Sequence, residues 1–178
     1  LINSILKNFD DKRIGMPLGN MTSQFFANVY LSKLDYFIKK RLKMKYYIRY
    51  VDDFVILHKD KEVLENCKTK ISSYLMNLRL ELHPEKSKIC SLYQGVNFLG
   101  FKIFYYHRLV KKRNVKVFLK RLEEFEEEYN QGYLTKTVLL EKLQGWFAYS
   151  VWGNSYTLRK KLVKIIIEKF QFDNPKDI

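Results

Sequence analysis

Residues 46–58 read YYIRYVDDFVILH, two runs of aromatic and β-branched residues on either side of two adjacent aspartates. Such runs form half-buried strands. In a regular strand, neighbouring side chains point to opposite faces. Asp52 and Asp53 therefore reach one point in space only if the strand ends there, at the tip of a hairpin. The flanking runs predict a two-residue turn made by the pair itself. At such a turn a hard divalent cation, Mg²⁺, would offset the repulsion of the two carboxylates. For an isolated Asp-Asp pair, an ordinary surface turn is the competing reading.

The rest of the chain frames this hairpin with helices. From Ser23 to Leu42, apolar residues recur at 26, 29, 30, 34, 37 and 38, a helical stripe that runs into the cationic KKRLKMK. Asp60 is placed to cap a second helix, with Leu64, Cys67, Ile71, Tyr74, Leu75 and Leu78 on one face. His83-Pro84 ends that segment. A short strand is expected over KICSLY (88–93), and VNFLGFKIFYY (96–106) reads as a strand pair or a strand kinked at Gly100. Beyond about residue 110 only helices are expected: NVKVFLKRLEEFEEEY, TKTVLLEKLQGWFAYSVW from Thr135, and SYTLRKKLVKIIIEKF after an Asn154-Ser155 cap. This is an α+β chain with a mixed part followed by a helical part.

Charge narrows the partners. Lys and Arg number 33 against 19 acidic residues, a net charge of +14, and excess of this sign suits a polyanion. Arg113, Lys116 and Lys120 share one helical face, suited to duplex phosphates; a solvated helix face is the alternative. The following Glu123, Glu124, Glu126, Glu127 and Glu128 would repel nucleic acid, so they are expected to face away or meet a basic partner. Trp146, Phe147, Tyr149 and Trp152 are expected in the helical core. Cys67 and Cys90 are too few for a disulfide framework or zinc knuckle and read as reduced thiols of a cytoplasmic protein. No apolar run is long enough to span a bilayer.

Two further segments bear on chemistry. GMPLGNMTSQ (15–24) is a tight loop running into the first helix, whose backbone amides can face a nucleotide or template. LHPEKSKI (82–89) sets Lys86 and Lys88 after the second helix, where either could meet a triphosphate. Taken alone, each is also an ordinary loop.

The order of these segments (GxPxGxxxSQ, a YxDD hairpin, a helix, LxLHPEKSK, then NFLGF) resembles the reverse transcriptases over essentially all 178 residues. LGNMTSQ, with Leu18 and Gln24 where many retroelement polymerases carry Gln and Pro, is similar to the branch found in diversity-generating retroelements and related group II intron-like bacterial enzymes. The resemblance implies the C-terminal half of a right-hand polymerase palm (1–107), an antiparallel sheet with packed helices, followed by a helical thumb (108–178).

It also implies RNA-templated DNA synthesis from dNTPs on a DNA primer, with two Mg²⁺ ions (or Mn²⁺) held by Asp52 and Asp53. One ion would lower the pKa of the primer 3′-hydroxyl and the other would stabilise the departing pyrophosphate. Lys86 would neutralise or protonate pyrophosphate, with Lys88 as the alternate. Gly19, Ser23, Gln24 and Tyr50 would line the nucleotide and template, Phe98, Leu99 and Gly100 would grip the primer, and Arg113, Lys116 and Lys120 would meet the backbone. The family's third carboxylate comes from an earlier strand, and Asp10 and Asp11 lie too late to supply it. An N-terminally incomplete segment, inactive alone and completed by the rest of the polymerase or an accessory protein, is therefore expected. A nucleic-acid-binding fragment and a retron- or defence-type enzyme are the alternatives.

Overall fold

The computed structural model describes residues 21–172. The chain forms two compact units that divide between Ile89 and Cys90.

In the first unit, helix α1 (Met21–Tyr36) continues into a π-helical turn, Phe37–Arg41. Strands β1 (Tyr46–Tyr50) and β2 (Asp53–Leu57) follow, then helix α2 (Lys61–Asn77). The core joins Leu34, Ile38 and Met44 to Cys67, Ile71 and Leu75, with Tyr47, Phe54 and Ile56 of the hairpin packed against it. Asp60 caps α2 as expected, its carboxylate accepting from the Glu62 amide at 2.8 Å. The apolar stripe along α1 and the π-helical turn is narrower than its spacing suggests: Val29 and Tyr30 are exposed, while Leu34 and Ile38 are buried.

The hairpin pairs Tyr46 with Leu57, Ile48 with Val55 and Tyr50 with Asp53. Its turn is therefore Val51-Asp52, one residue earlier than the expected Asp52-Asp53. The register explains the shift. A turn one residue later would set His58 opposite Tyr47 on the inward face, whereas the observed pairing sets Ile56 there and Phe54 opposite Arg49. Tyr46, Ile48 and Tyr50, on the other face, are each more than half exposed.

In the second unit, β3 (Val96–Phe98), β4 (Phe101–Ile103) and β5 (Arg108–Val110) form an antiparallel meander. Helices α3 (Lys112–Asn130), α4 (Lys136–Val151) and α5 (Tyr156–Phe170) follow. Phe118, Leu122, Leu139, Leu143, Leu162, Ile166 and Phe170 make the core between these helices. Thr135 caps α4 by accepting from the Val138 amide.

The second unit corrects several expectations. No strand forms over 88–93; residues 92–94 make a single 3₁₀ turn there. Strand β5 was not legible as a strand, since its three residues are held by β4 and by Asn154, which exchanges two hydrogen bonds with the Arg108 backbone. Asn154 and Ser155 do not cap α5 through their side chains: the Ser155 hydroxyl donates back to the Ser150 carbonyl. Trp146 and Phe147 pack on the core, but Trp152 is 66% exposed, beneath the Arg108 guanidinium.

Candidate polymerase site

The hairpin tip presents Asp52 in the turn and Asp53 as the first residue of β2, on the same face as Tyr50. Both carboxylates are exposed. Among the described residues, no ion pair or side-chain hydrogen bond engages either one. Two unpaired, adjacent, hard-oxygen donors fit Mg²⁺ chemistry. They make a partial ligand set, because no group of three acidic, His or Cys side chains comes together among the described residues.

The turn has an unusual backbone. Val51 has φ +55°, a left-handed conformation that a β-branched residue adopts at a cost. Arg49 supports it, donating from Nη1 to the Val51 carbonyl at 2.7 Å. The same guanidinium forms a two-pronged pair with Asp35 on α1, at 2.8 and 2.6 Å. Tyr47 adds a hydroxyl bond to Asp35 at 2.6 Å. The hydrogen bond from Arg49 holds the Asp35 carboxyl below its ordinary range. Burial, with Asp35 beside it, pushes the Tyr47 hydroxyl above its own.

This cluster escaped the sequence reading, yet a signal was present. Arg49 alternates with Tyr47 on the inward strand face, and Asp35 sits beside Leu34 on the packed stripe of α1. A cation and an anion directed at one core imply each other.

Ser23, half-buried, and Gln24, exposed, lie in the first turn of α1; Gly19 lies outside the described residues. Lys86 and Lys88 are exposed in the turn region after α2.

In the second unit, Leu99 and Gly100 form the β3–β4 turn with φ of +47° and +84°, the signature of a type I′ turn. The Phe98 side chain is buried, so only Leu99 and the turn backbone are open to a strand. Gly100 is required by the protein's own packing: a Cβ there would lie 2.3 Å from the Tyr149 hydroxyl. The Gly100 carbonyl also accepts from the Lys111 amide, at the start of α3, at 3.0 Å. Arg113, Lys116 and Lys120 are all exposed along α3. The acidic run does not turn away as a whole, since Glu123 and Glu127 continue the same face at helical spacing. Glu126 meets a basic partner, Lys169 of α5.

An exposed acidic tip on a strained hairpin is the equipment of a nucleotidyltransferase. Residues 7–103, more than half of the chain, match the family model for reverse transcriptase (RNA-dependent DNA polymerase), and the chain belongs to that family. The search of curated proteins found no match. Members of this family are RNA-directed DNA polymerases that generally use Mg²⁺ and act on an RNA template and nucleotides. No helix among the described residues is long and apolar enough to cross a membrane.

Proposed function

We propose that this chain supplies the carboxylate hairpin and the helical thumb of a retroelement reverse transcriptase that extends a DNA primer on an RNA template. The observation that carries this reading is the hairpin tip, where Asp52 and Asp53 stand exposed and unpaired among the described residues. Asp52 and Asp53 would hold Mg²⁺, or Mn²⁺, which when bound activates the attacking hydroxyl and neutralises the leaving pyrophosphate. Tyr50 shares the face of Asp53 and would pack near the primer end. Ser23 and Gln24 would line the incoming nucleotide, and Lys86, with Lys88 as alternate, would meet the pyrophosphate. Leu99 and the Gly100 backbone, in the turn that follows Phe98, would touch the primer. Arg113, Lys116 and Lys120 would contact duplex phosphates.

The third carboxylate of the family would come from outside the described residues. The exposed apolar face of Tyr46, Ile48 and Tyr50 supports this, because it is a surface on which a further element of the palm could pack. We assign residues up to 107 to the palm and 108–178 to the thumb. LGNMTSQ supports the diversity-generating or group II intron-like branch over a retron- or defence-type enzyme.

Primer extension on an RNA template with Mg²⁺ tests the reading in the full-length natural protein that contains this chain. Asp52→Ala should lower extension below about a tenth of wild type while leaving duplex binding nearly intact. Duplex binding without extension by the wild-type full-length natural protein would instead favour a nucleic-acid-binding protein with no polymerase activity.

A further inference from the structure

The polymerase reading gives a role to the carboxylates at the hairpin tip and none to the residue that holds the tip. Arg49 has a side chain only 10% exposed, and its guanidinium reaches three groups on two elements. Nε and Nη2 pair with the two carboxylate oxygens of Asp35, while Nη1 donates to Asn28 Oδ1 at 2.9 Å and to the Val51 carbonyl at 2.7 Å. Asn28 and Asp35 lie on α1.

An ion pair that served only to join helix and hairpin would need Asp35 alone. The bond to Val51 is different, because that carbonyl belongs to the peptide linking Val51 to Asp52. Its orientation fixes the direction in which the backbone enters Asp52. Val51 carries φ +55°, and a residue in such a region persists only where its surroundings over-determine it. Arg49 is the group that does so here. A planar fork is needed to bind a carboxylate in two places and still reach a carbonyl, which a lysine ammonium does not provide.

We propose that Arg49 is a positioning residue for nucleotidyl transfer. By tying the Val51 carbonyl to Asp35 and Asn28, it holds Asp52 and Asp53 in fixed register with α1, the helix whose first turn carries Ser23 and Gln24. This role rests on the polymerase reading of the two aspartates.

The test compares wild type, Arg49→Lys, Asp35→Asn and the double variant in the full-length natural protein, with two readouts. In steady-state primer extension, Arg49→Lys should lower kcat roughly 10- to 100-fold, with KM for the nucleotide changed less than about twofold. Asp35→Asn should act in the same direction, and the double variant should be no worse than Arg49→Lys alone. In hydrogen exchange read by mass spectrometry, amides of residues 50–54 should exchange roughly tenfold faster in Arg49→Lys, while those of α2 stay unchanged. A lowered melting temperature with unchanged kcat overturns the proposal, as does a turn whose exchange does not move. Should Arg49→Lys fail to fold, Asp35→Asn, which keeps the side-chain shape, decides by the same criteria. A wild-type full-length natural protein that extends no primer removes the polymerase reading and this role together. That result is distinguishable, because the exchange readout still shows whether the clamp holds the turn.

Discussion

The Tyr149 hydroxyl of α4 donates to the carbonyl of Gly100 at 2.8 Å, and the Asn114 amide of α3 donates both to that carbonyl, at 3.3 Å, and to the Tyr149 oxygen, at 3.0 Å. Two helices thus converge on one turn of the NFLGF hairpin. The turn is fixed by the protein's own side chains.

Gly100→Ala should destabilise the second unit by about 2–4 kcal/mol, from the left-handed backbone and from the clash with Tyr149. Tyr149→Phe alone should cost about 1 kcal/mol. Because the phenylalanine removes the clashing oxygen, the double variant should be more stable than the sum of the two costs implies. Urea unfolding followed by tryptophan fluorescence measures all three; additive costs would contradict the contact.

Val51 offers a prediction of the opposite sign. Glycine adopts a positive φ without the penalty of a branched side chain. Val51→Gly should therefore leave the first unit as stable as wild type or up to about 1 kcal/mol more stable. A loss above about 1 kcal/mol in denaturant titration would mean that packing of the half-buried valine outweighs the backbone strain.

The Asp35–Arg49 pair sets a pH dependence. Hydrogen bonding by Arg49 holds the Asp35 carboxyl below the usual carboxylate range in the folded state, with Tyr47 and Lys39 acting in the same direction. A depressed folded value means that the stabilisation is fully present above the unfolded value and is lost as pH falls through the lower, folded one. Denaturant midpoints of the first unit should therefore decline from pH 5 towards pH 2, and Asp35→Asn should flatten the decline. Equal slopes in both proteins would show that other carboxylates carry the acid sensitivity.

Arg113, Lys116 and Lys120 are exposed on one face of α3, followed on that face by Glu123 and Glu127. Replacing the three cations by alanine should weaken duplex binding and reduce the slope of log K against log salt by about one per lost phosphate contact. Glu123→Gln with Glu127→Gln should strengthen binding, since both carboxylates extend the same stripe. Filter binding across a salt series gives both numbers. A slope unchanged by the triple substitution would remove α3 from the interface.

Local pattern determined much of this protein. The alternation around Asp52-Asp53 specified a hairpin, apolar spacing specified α1 and α2, the later α-helices were legible as helical segments, and Asp60 and Thr135 marked two helix starts. The acidic tip and the basic face of α3 were legible for the same reason, because each is written in neighbouring residues. What needed the tertiary structure lies between distant ones. Arg49 finds Asp35 fourteen residues away and Tyr149 finds Gly100 forty-nine away, and no periodicity encodes such a meeting. The turn register moved by one residue because the inward face had to accept Ile56 in place of His58, a choice made by packing against α1 and α2. Strand β5 exists, and a strand over 88–93 does not, because a short segment becomes a strand only when a partner edge is there to receive its hydrogen bonds.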